Sequence, residues 1–434
     1  MSERSDSRPH VVIVGGGFGG LEAAKHLSRA PVSVTLVDRQ NHHCFQPLLY
    51  QVATAALSPA DVAWPIRSIV GARHNVTVLM AEVTGVDAVN KAVRIGATGI
   101  PYDYLVLATG ATHSYFGHDD WAAHAPGLKR IVDATEIRRR VLVAFERAEL
   151  TEDAAERERQ MTFVIVGGGP TGVEMAGAIA EVARHALPLD FHRIDPRRSR
   201  ILLLEAGPRI LPSFPVHLAE YARQALARMG VDVRVASPVT DCGPSGVQVD
   251  GRATEAATII WAAGVRASPA AEWLSAPKDR AGRIEVGPDL TVPGESAVFA
   301  IGDTAAVSRD GIPVPGIAPA AKQMGEYVAA EISRRIAGKP SAGPFVYRHQ
   351  GDLATIGRKV AVVKLARLEL KGFAGWLFWS LVHIYFLVGA RNRLAVALSW
   401  IWSYVTFQRH ARLIVGADDE RRSSASVIGT RPSR

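Results

Sequence analysis

Two short apolar runs predict buried strands at two places in the chain. Residues 11–14 and 163–166 contain only aliphatic, β-branched or aromatic side chains, which is typical of strands buried on both faces of a parallel sheet. Glycines follow each run, and helix-forming residues come next at 21–27 and 173–183. The order of strand, glycine turn and helix predicts the start of a βαβ unit at both places.

The glycine turns have the spacing of dinucleotide fingerprints. Residues 15–20 read GGGFGG and residues 167–172 read GGGPTG. In such a pattern the first glycine makes the tight turn, the second lets the backbone approach a pyrophosphate, and the third lets the helix pack on the strand. The phosphates then lie at the positive N-terminus of the helix. The predicted nucleotide contacts are Gly15, Gly17, Phe18, Gly19 and Gly20 in the first site and Gly167, Gly169, Pro170, Thr171 and Gly172 in the second.

An acidic residue ends the next predicted strand in each unit. Asp38 comes 21 positions after Gly17, where an acid that binds a ribose belongs. Glu205 comes 36 positions after Gly169, and a Pro- and Arg-rich insertion at residues 188–200 explains the longer spacing. A carboxylate at the second place favours NADH over NADPH because it repels a 2′-phosphate. An ordinary surface carboxylate is the alternative for each acid.

A second pair of motifs predicts an internal duplication. Residues 104–110 read YLVLATG and residues 258–264 read TIIWAAG, so each is an apolar strand that ends in small residues and a glycine. Their final glycines, Gly110 and Gly264, lie 95 and 97 positions after the first glycines of the two fingerprints, Gly15 and Gly167. Two domains of similar plan would have this spacing, whereas chance similarity of two buried strands is the alternative.

Composition and charge restrict the class of protein. The chain has 434 residues, which suffices for two or three domains, and its net charge of +8 favours an acidic partner, either nucleic acid or anionic lipid. The polar N-terminus lacks the apolar core of a signal peptide, so folding in the cytoplasm is expected. Cys44 and Cys242 are the two cysteines, and their wide separation predicts neither a disulfide framework nor a metal site.

These motifs, in this order, resemble the flavoproteins with two dinucleotide domains, the disulfide reductases and their relatives. Gly302 and Asp303 follow an apolar strand, as does the pair that contacts the FAD ribityl chain and pyrophosphate in that superfamily. The resemblance implies FAD in the first domain and a nicotinamide in the second. Disulfide reductases also need a pair of cysteines near the flavin, and Cys44 stands alone.

One branch of the superfamily is more similar. Residues 41–54 (NHHCFQPLLYQVAT) and 387–393 (LVGARNR) resemble type II NADH:quinone oxidoreductases, the single-subunit respiratory dehydrogenases that do not pump protons. The resemblance covers nearly the whole chain. It implies an α/β fold of two Rossmann-like dinucleotide-binding domains with a C-terminal membrane-docking helical segment. It also implies that hydride passes from NADH to noncovalent FAD, and electrons from FAD to a membrane quinone.

The resemblance assigns two catalytic residues. Residues 316–323 (GIAPAAKQ) begin a helix predicted at 320–336 and resemble the quinone-site motif, in which the family often has Gln at Pro319. The other polar residue of the motif is present in this chain as Gln323. Glu174 matches a glutamate that lies near flavin and nicotinamide and positions them or supplies a proton, although a surface carboxylate is the alternative. The remaining predicted cofactor contacts are Asp38 with Arg39, Pro47, Ala108, Thr109, Gly110, Glu205, Ala263, Gly264, Gly302, Asp303 and Ala320.

The C-terminal composition predicts contact with a membrane. Residues 373–390 and 394–407 are two almost uncharged runs that hold half of the tryptophans and are flanked by arginines. A pair of helices in the lipid interface is the favoured interpretation, and a single spanning helix or packing in a soluble homodimer are the alternatives. Because the basic residues flank aromatic runs, anionic lipid is favoured over nucleic acid.

The sequence thus predicts a peripheral protein on the cytoplasmic face of the inner or cell membrane. Its predicted parts are an FAD domain at residues 1–125 and 267–344, an NADH domain at 126–266, a membrane-anchoring region at 345–415 and a disordered tail at 416–434. Two alternatives stay open. One is a soluble NADH oxidase or peroxidase that uses Cys44 as a sulfenic acid, and the other is a flavin-binding signalling protein without turnover.

Overall fold

The computed structural model describes residues 8–71, 73–406 and 411–415. By its internal contacts the chain divides into two compact units. Unit 1 comprises the described residues up to Cys44, Ala63–Ser114 and Val265–Gly351. Unit 2 comprises Phe45–Val62, Tyr115–Gly264 and the described residues from Asp352 onward.

The helices of the described residues are numbered in chain order. The α-helices are α1 (Phe18–Leu27), α2 (Leu49–Ala53), α3 (Pro59–Val62), α4 (Ile66–Val70), α5 (Ile131–Leu150), α6 (Ala154–Gln160), α7 (Pro170–Glu181), α8 (Val216–Arg228), α9 (Ala270–Trp273), α10 (Ala318–Ile336), α11 (Gly372–Phe386) and α12 (Ala390–Thr406). Short helical turns lie at Gln46–Leu48, Asp119–Ala123, Val182–Ala186, Pro196–Arg198 and Gly302–Thr304.

Strands are numbered in the same way. Up to residue 113 they are β1 (His10–Val14), β2 (Ser33–Asp38), β3 (His42–Cys44), β4 (Ala63–Pro65), β5 (Val76–Met80), β6 (Gly85–Asp87), β7 (Ala92–Ile95), β8 (Thr98–Pro101), β9 (Tyr104–Leu107) and β10 (Ala111–His113). The later strands are β11 (Thr162–Val166), β12 (Arg200–Leu204), β13 (Val231–Arg234), β14 (Val239–Gly243), β15 (Gly246–Val249), β16 (Arg252–Glu255), β17 (Thr258–Trp261), β18 (Val265–Ala267), β19 (Ile284–Glu285), β20 (Thr291–Val292), β21 (Glu295–Ala300), β22 (Ala305–Ala306), β23 (Ser308–Arg309), β24 (Ile312–Pro313), β25 (Asp352–Thr355), β26 (Ala361–Lys364) and β27 (Glu369–Lys371).

A six-stranded sheet in the order β20-β21-β9-β1-β2-β5 forms the centre of unit 1. All neighbours are parallel except β20, which pairs antiparallel at one edge. Val11 and Ile13 of β1 belong to the core cluster that contains side chains of α1 and α10, whereas Val12 and Val14 belong to the cluster on the opposite face, beside β6–β8. Both faces of β1 are buried from Val11 to Val14, which explains why these four positions are all apolar.

The central sheet of unit 2 repeats this plan. Its four parallel strands have the order β13-β12-β11-β17, which corresponds to β5-β2-β1-β9 in unit 1. A three-stranded antiparallel sheet, β14–β16, occupies the same place in the chain order as β6–β8 does in unit 1. The two units share one α/β plan, as the paired sequence motifs predict.

The C-terminal region begins with a sheet that the sequence did not predict. Strands β25–β27 form a three-stranded antiparallel sheet, and α11 packs on it. These strands have three or four residues each, which is too short to stand out in an apolar pattern. The two apolar runs form α11 and α12, as predicted. No helix in the described part of the chain is long and apolar enough to cross a bilayer, and the predicted tail at 416–434 lies outside the described residues.

The contact boundaries differ from the predicted domain boundaries by a few residues near 265 and 345 and more widely in three places. The chain passes from unit 1 into unit 2 after Ser114, whereas the FAD domain was expected to continue to residue 125. Residues 45–62, expected in the FAD domain, pack in unit 2 because α2 contacts α5 and α7. The C-terminal region joins unit 2 as well, since β25 packs against α7. The nucleotide that each unit binds stays a prediction.

Helices α1 and α10 cross closely through glycines, and this contact is testable. A Cβ atom on Gly325 of α10 would lie 2.2 Å from the carbonyl oxygen of Gly19 in α1. We expect Gly325→Ala to lower the free energy of unfolding by about 2 kcal/mol, because the helices must separate to admit the methyl group. Urea unfolding measures the loss. In the control, Gly85→Ala, the new methyl group makes an ordinary contact 3.8 Å from Arg94, so an equal loss in both variants would contradict the prediction.

Candidate functional site

Both glycine fingerprints have the same backbone geometry. The first glycines, Gly15 and Gly167, have φ angles of +106° and +108°, which side chains with a Cβ atom rarely adopt. At the third glycines, Gly20 and Gly172, a Cβ atom would lie 1.9 Å and 1.8 Å from the carbonyl oxygens of the first. Glycine is therefore required at these four positions for the turn to close and for the helix to start at the strand end.

The N-termini of α1 and α7 fit the pyrophosphates of FAD and NADH. Gly17 and Gly169 are the N-cap residues, and no atom lies within 4 Å of the position that a Cβ atom would take on either one. Among the described residues no side-chain hydrogen bond caps either helix. Each helix therefore begins with an uncapped positive end and with open space beside its N-cap glycine, which is an environment that favours phosphates.

The two acids occupy equivalent places beside the fingerprints. Asp38 ends β2 and accepts hydrogen bonds from the backbone N–H groups of Gly16 (2.6 Å) and Gln40 (2.7 Å). Glu205 follows β12 and accepts from the N–H groups of Gly168 and Gly207, both at 2.6 Å. Each carboxylate oxygen has a further lone pair for a ribose hydroxyl. The geometry fits the predicted contact with ribose, which stays a prediction.

Thr304 joins two of the motifs that were predicted to contact FAD. Its Oγ1 accepts a hydrogen bond from the N–H of Gly110 at 2.9 Å and lies 3.1 Å from Oγ1 of Thr109. Thr304 ends the helical turn that contains Gly302 and Asp303, so the structure brings the two motifs together in unit 1. The sequence did not point to Thr304, because 194 positions separate it from Gly110.

The buried side chain of His43 contacts two residues of the first fingerprint. His43 donates from Nδ1 to the carbonyl oxygen of Gly16 at 3.0 Å, and its ring meets the Phe18 ring edge to face at 4.9 Å. Burial lowers the pKa of His43 to about 4, so its imidazole is neutral at pH 7. Lys322 lies 5.8 Å from the centre of the Phe18 ring, and burial lowers the pKa of its ammonium group as well. The motif at residues 41–54 contains His43, but the sequence predicted no contact between this side chain and the first fingerprint.

Glu174 is a buried acid and not a surface carboxylate. It lies on α7 with 9% of its surface exposed. Burial raises the pKa of its carboxyl group to about 8, although the N–H of Thr355 in β25, 3.5 Å from Oε1, acts in the opposite direction. Such a group keeps its proton near neutral pH and releases it over a small pH change, which suits proton transfer. A role in catalysis stays a prediction.

Gln323 is engaged by the backbone in this structure. Its Nε2 donates to the carbonyl oxygen of Arg348 and its Oε1 accepts from the N–H of the same residue, both at 2.9 Å. Helix α10 begins at Ala318, two residues before the predicted start, with Pro319 in its first turn and Ala320 buried. Contact between Gln323 and a quinone therefore requires the exchange of two hydrogen bonds, and the predicted role is untested.

The other predicted cofactor contacts lie at the ends of strands and helices. Arg39 is exposed directly after β2, and Thr171 is exposed in the first turn of α7. Ala263 and Gly264 follow β17, and a Cβ atom on Gly264 would lie 2.6 Å from the Phe116 ring. Pro47 lies in the turn Gln46–Leu48 of unit 2. Their roles remain predictions.

The buried carboxyl group of Glu174 predicts a pH dependence of stability. Because its pKa rises on folding to about 8, the protonated form stabilises the fold below the pKa of an unfolded glutamate, and that stabilisation is lost as pH rises towards 8. We expect Glu174→Gln, which stays neutral, to gain stability relative to the unsubstituted chain between pH 5 and pH 8. Urea unfolding at both pH values measures it, with Glu326→Gln at an exposed position as the control. A difference that does not change with pH would contradict the expected burial effect.

Comparison with protein families assigns the chain. The model of the pyridine nucleotide-disulphide oxidoreductase family matches residues 9–325, and the NDH2 C-terminal domain matches residues 349–410. The second match coincides with the C-terminal sheet and the helices α11 and α12.

Curated relatives and solved structures agree with this assignment. The chain is 43% identical over 417 residues to the type II NADH:quinone oxidoreductase Ndh of Mycobacterium tuberculosis, covering 93% of this chain and 89% of that protein. It is 44% identical to NdhA of the same organism, covering 92% and 87%. The fold is similar to that of NDH2 from Plasmodium falciparum in complex with NADH, with a TM-score of 0.85, 21% identity and coverage of 94% and 100%. The chain belongs to the type II NADH:quinone oxidoreductases.

Proposed function

We propose that this protein oxidises NADH and reduces a membrane quinone by way of a noncovalently bound FAD, without pumping protons. The observation that carries the proposal is the repetition of one nucleotide-binding geometry in two units, each with an open helix N-terminus and an acid beside the second glycine. FAD, when bound, accepts a hydride and passes electrons on to a second acceptor. The residues of the chain bind the two nucleotides and align them.

Glu205 supports NADH as the substrate of unit 2. Its carboxylate is held beside the fingerprint by the N–H groups of Gly168 and Gly207. A fixed negative charge there accepts the hydroxyl groups of a ribose and repels a 2′-phosphate. An arginine near this acid can bind a 2′-phosphate, and Arg209 is close to Glu205 in the chain. Its guanidinium, however, donates to the carbonyl oxygens of Phe214 and Pro212.

Glu174 supplies the proton that quinone reduction consumes. Its carboxyl group is buried and protonated near neutral pH, so it holds a proton inside unit 2. A carboxylic acid with a pKa near the working pH is an efficient proton donor and acceptor.

The exposed faces of α11 and α12 support docking on a lipid surface. On α11 four exposed apolar side chains recur every fourth residue and a fifth directly follows the last of them, and on α12 they recur at intervals of four, three and one. They are Phe373, Leu377, Leu381, Tyr385 and Phe386 on α11 and Leu394, Leu398, Ile401 and Trp402 on α12. Exposed basic residues, Lys371 and Arg391, lie at the start of the two helices. An apolar stripe with basic neighbours binds the interface of an anionic bilayer, and we place it on the cytoplasmic face.

The acceptor of the electrons tests the proposed function. We expect the FAD-loaded protein to oxidise NADH fastest with a short-chain quinone, and slowly with peroxide or with oxygen alone. The kcat/KM for NADPH should be about tenfold lower than for NADH because of the charge of Glu205. Glu205→Ala should reduce that preference.

Cys44→Ala should leave quinone reduction unchanged. Faster turnover with peroxide, lost in Cys44→Ala, would instead identify a peroxidase.

Vesicle binding tests the docking face. We expect the triple replacement of Leu381, Leu398 and Ile401 by Ser to weaken binding to anionic vesicles by about a hundredfold, because each loses apolar burial in the lipid. Flotation measures binding, and the FAD content reports folding. The matched control replaces Leu150, Leu189 and Val216, which are exposed apolar residues elsewhere in unit 2, by Ser. Equal loss in both triple variants would show that the two helices are not the docking face.

A further inference from the structure

A segment of unit 2 is inserted between two paired strands of unit 1. We call Phe45–Val62 the excursion, because the chain leaves unit 1 at the end of β3 and re-enters it at the start of β4. The two strands pair antiparallel, with Cys44 opposite Ala63, so the ends of the excursion are held together. The excursion contains α2 and α3, and its own packing is with helices of unit 2.

The C-terminal helices contact the excursion at its beginning, middle and end. The ring of His383 in α11 meets the ring of Phe45 edge to face, with centres 6.2 Å apart. In α12, Trp400 donates from Nε1 to Oε1 of Gln51 at 2.7 Å. At the end of the excursion, Nδ2 of Asn392 donates to the carbonyl oxygen of Ala60 at 3.3 Å. These contacts join parts of the chain that are more than three hundred residues apart.

The bond between Trp400 and Gln51 is the shorter of the two hydrogen bonds. Both side chains are buried, each with 6% of its surface exposed. Gln51 uses its Nε2 to donate to the hydroxyl oxygen of Tyr50 at 2.9 Å, so both ends of its amide are engaged inside the protein. Loss of the indole N–H would leave a buried carbonyl oxygen without its donor, which is more costly than the bond itself is favourable.

Trp400 is held on its other side by aromatic packing. Its ring lies 5.4 Å from that of Trp379, which stacks on His383 at 4.1 Å. His383 is fixed in turn, since its Nδ1 donates to the carbonyl oxygen of Trp379 at 2.7 Å. The inner face of the helical pair is therefore a rigid support for Gln51.

The same turn of α12 also faces outward. Leu398, Ile401 and Trp402 are exposed and belong to the face that we place on the lipid. Within one helical turn, α12 therefore presents apolar side chains to the outside and a hydrogen-bond donor to the excursion.

We propose that Trp400 is a positioning residue for quinone reduction that acts through Gln51. Its N–H holds α2, and with it the adjoining turn that contains the predicted cofactor contact Pro47, on the inner side of the helix whose outer side chains we place on the lipid that supplies the quinone. The inference rests on the proposed function, in which the quinone comes from the bilayer. It adds Trp400, which lies outside the motifs at residues 41–54 and 387–393 that carry the family resemblance.

Replacement of the indole by a phenyl ring tests the proposal. In Trp400→Phe the apolar packing is largely kept and the N–H is lost. We expect the KM for a short-chain quinone to rise about tenfold while kcat changes less than about twofold, because binding of the ring is lost and not the chemistry. NADH oxidation with ferricyanide, a water-soluble acceptor, should be unchanged, as should the FAD content and flotation with vesicles.

Trp379→Phe is the matched control. The Nε1 of Trp379 is buried and has no hydrogen-bond partner among the described residues, so its removal breaks no bond in the same aromatic cluster. We expect a quinone KM close to that of the unsubstituted protein. Gln51→Met should reproduce the effect of Trp400→Phe, and the double variant should be no worse than either single one, because both remove the same interaction.

Several results would overturn the proposal. A normal quinone KM in Trp400→Phe, in a protein whose unsubstituted form reduces quinone, would reject the positioning role and leave the proposed function intact. An equal effect of Trp379→Phe would assign the change to ring packing and reject the hydrogen bond. A parallel loss with ferricyanide would show a general structural role. Failure of the unsubstituted protein to reduce quinone would reject the proposed function and this inference together.

Discussion

The close approach between the first and third glycines of each fingerprint is the constraint on which the rest of the structure depends. In both units the chain turns from strand to helix within six residues, and a Cβ atom at the third glycine would overlap the carbonyl oxygen of the first. The turn places the N-terminus of the helix at the carboxyl edge of a parallel sheet, where the acid that ends the next strand also lies. The position of the open helix end beside this acid follows from that geometry.

Burial then gives individual side chains chemistry that their residue type does not have in water. Glu174 has a pKa of about 8 because α7 is covered by the C-terminal sheet, from which Thr355 is the neighbouring donor. His43 is neutral because its ring is buried against the first fingerprint, where its Nδ1 donates to the carbonyl oxygen of Gly16. Burial raises the pKa of the acid and lowers the pKa of the histidine for the same reason, because desolvation disfavours the charged form of each group.

The C-terminal region has two faces with different functions. Its outer side chains are apolar and exposed, as is expected of a surface that meets lipid. Its inner side chains hold the excursion at three points, of which the bond from Trp400 to Gln51 is the shortest. The helices of the proposed docking face and the segment that contains Pro47 are thus parts of one packed unit.

The sequence by itself determined the two strand–turn–helix units, the strand-end acids, the motif at Gly302 and the two C-terminal helices. These features depend on residues close together in the chain, where glycine spacing and apolar runs constrain the backbone locally. The tertiary structure alone decided that residues 45–62 pack in unit 2, that Thr304 joins two distant motifs, and that Gln323 bonds Arg348. It also decided that Glu174 is buried and that Trp400 meets Gln51. Such contacts depend on packing between segments far apart in sequence, and neither residue type nor local spacing specifies that packing.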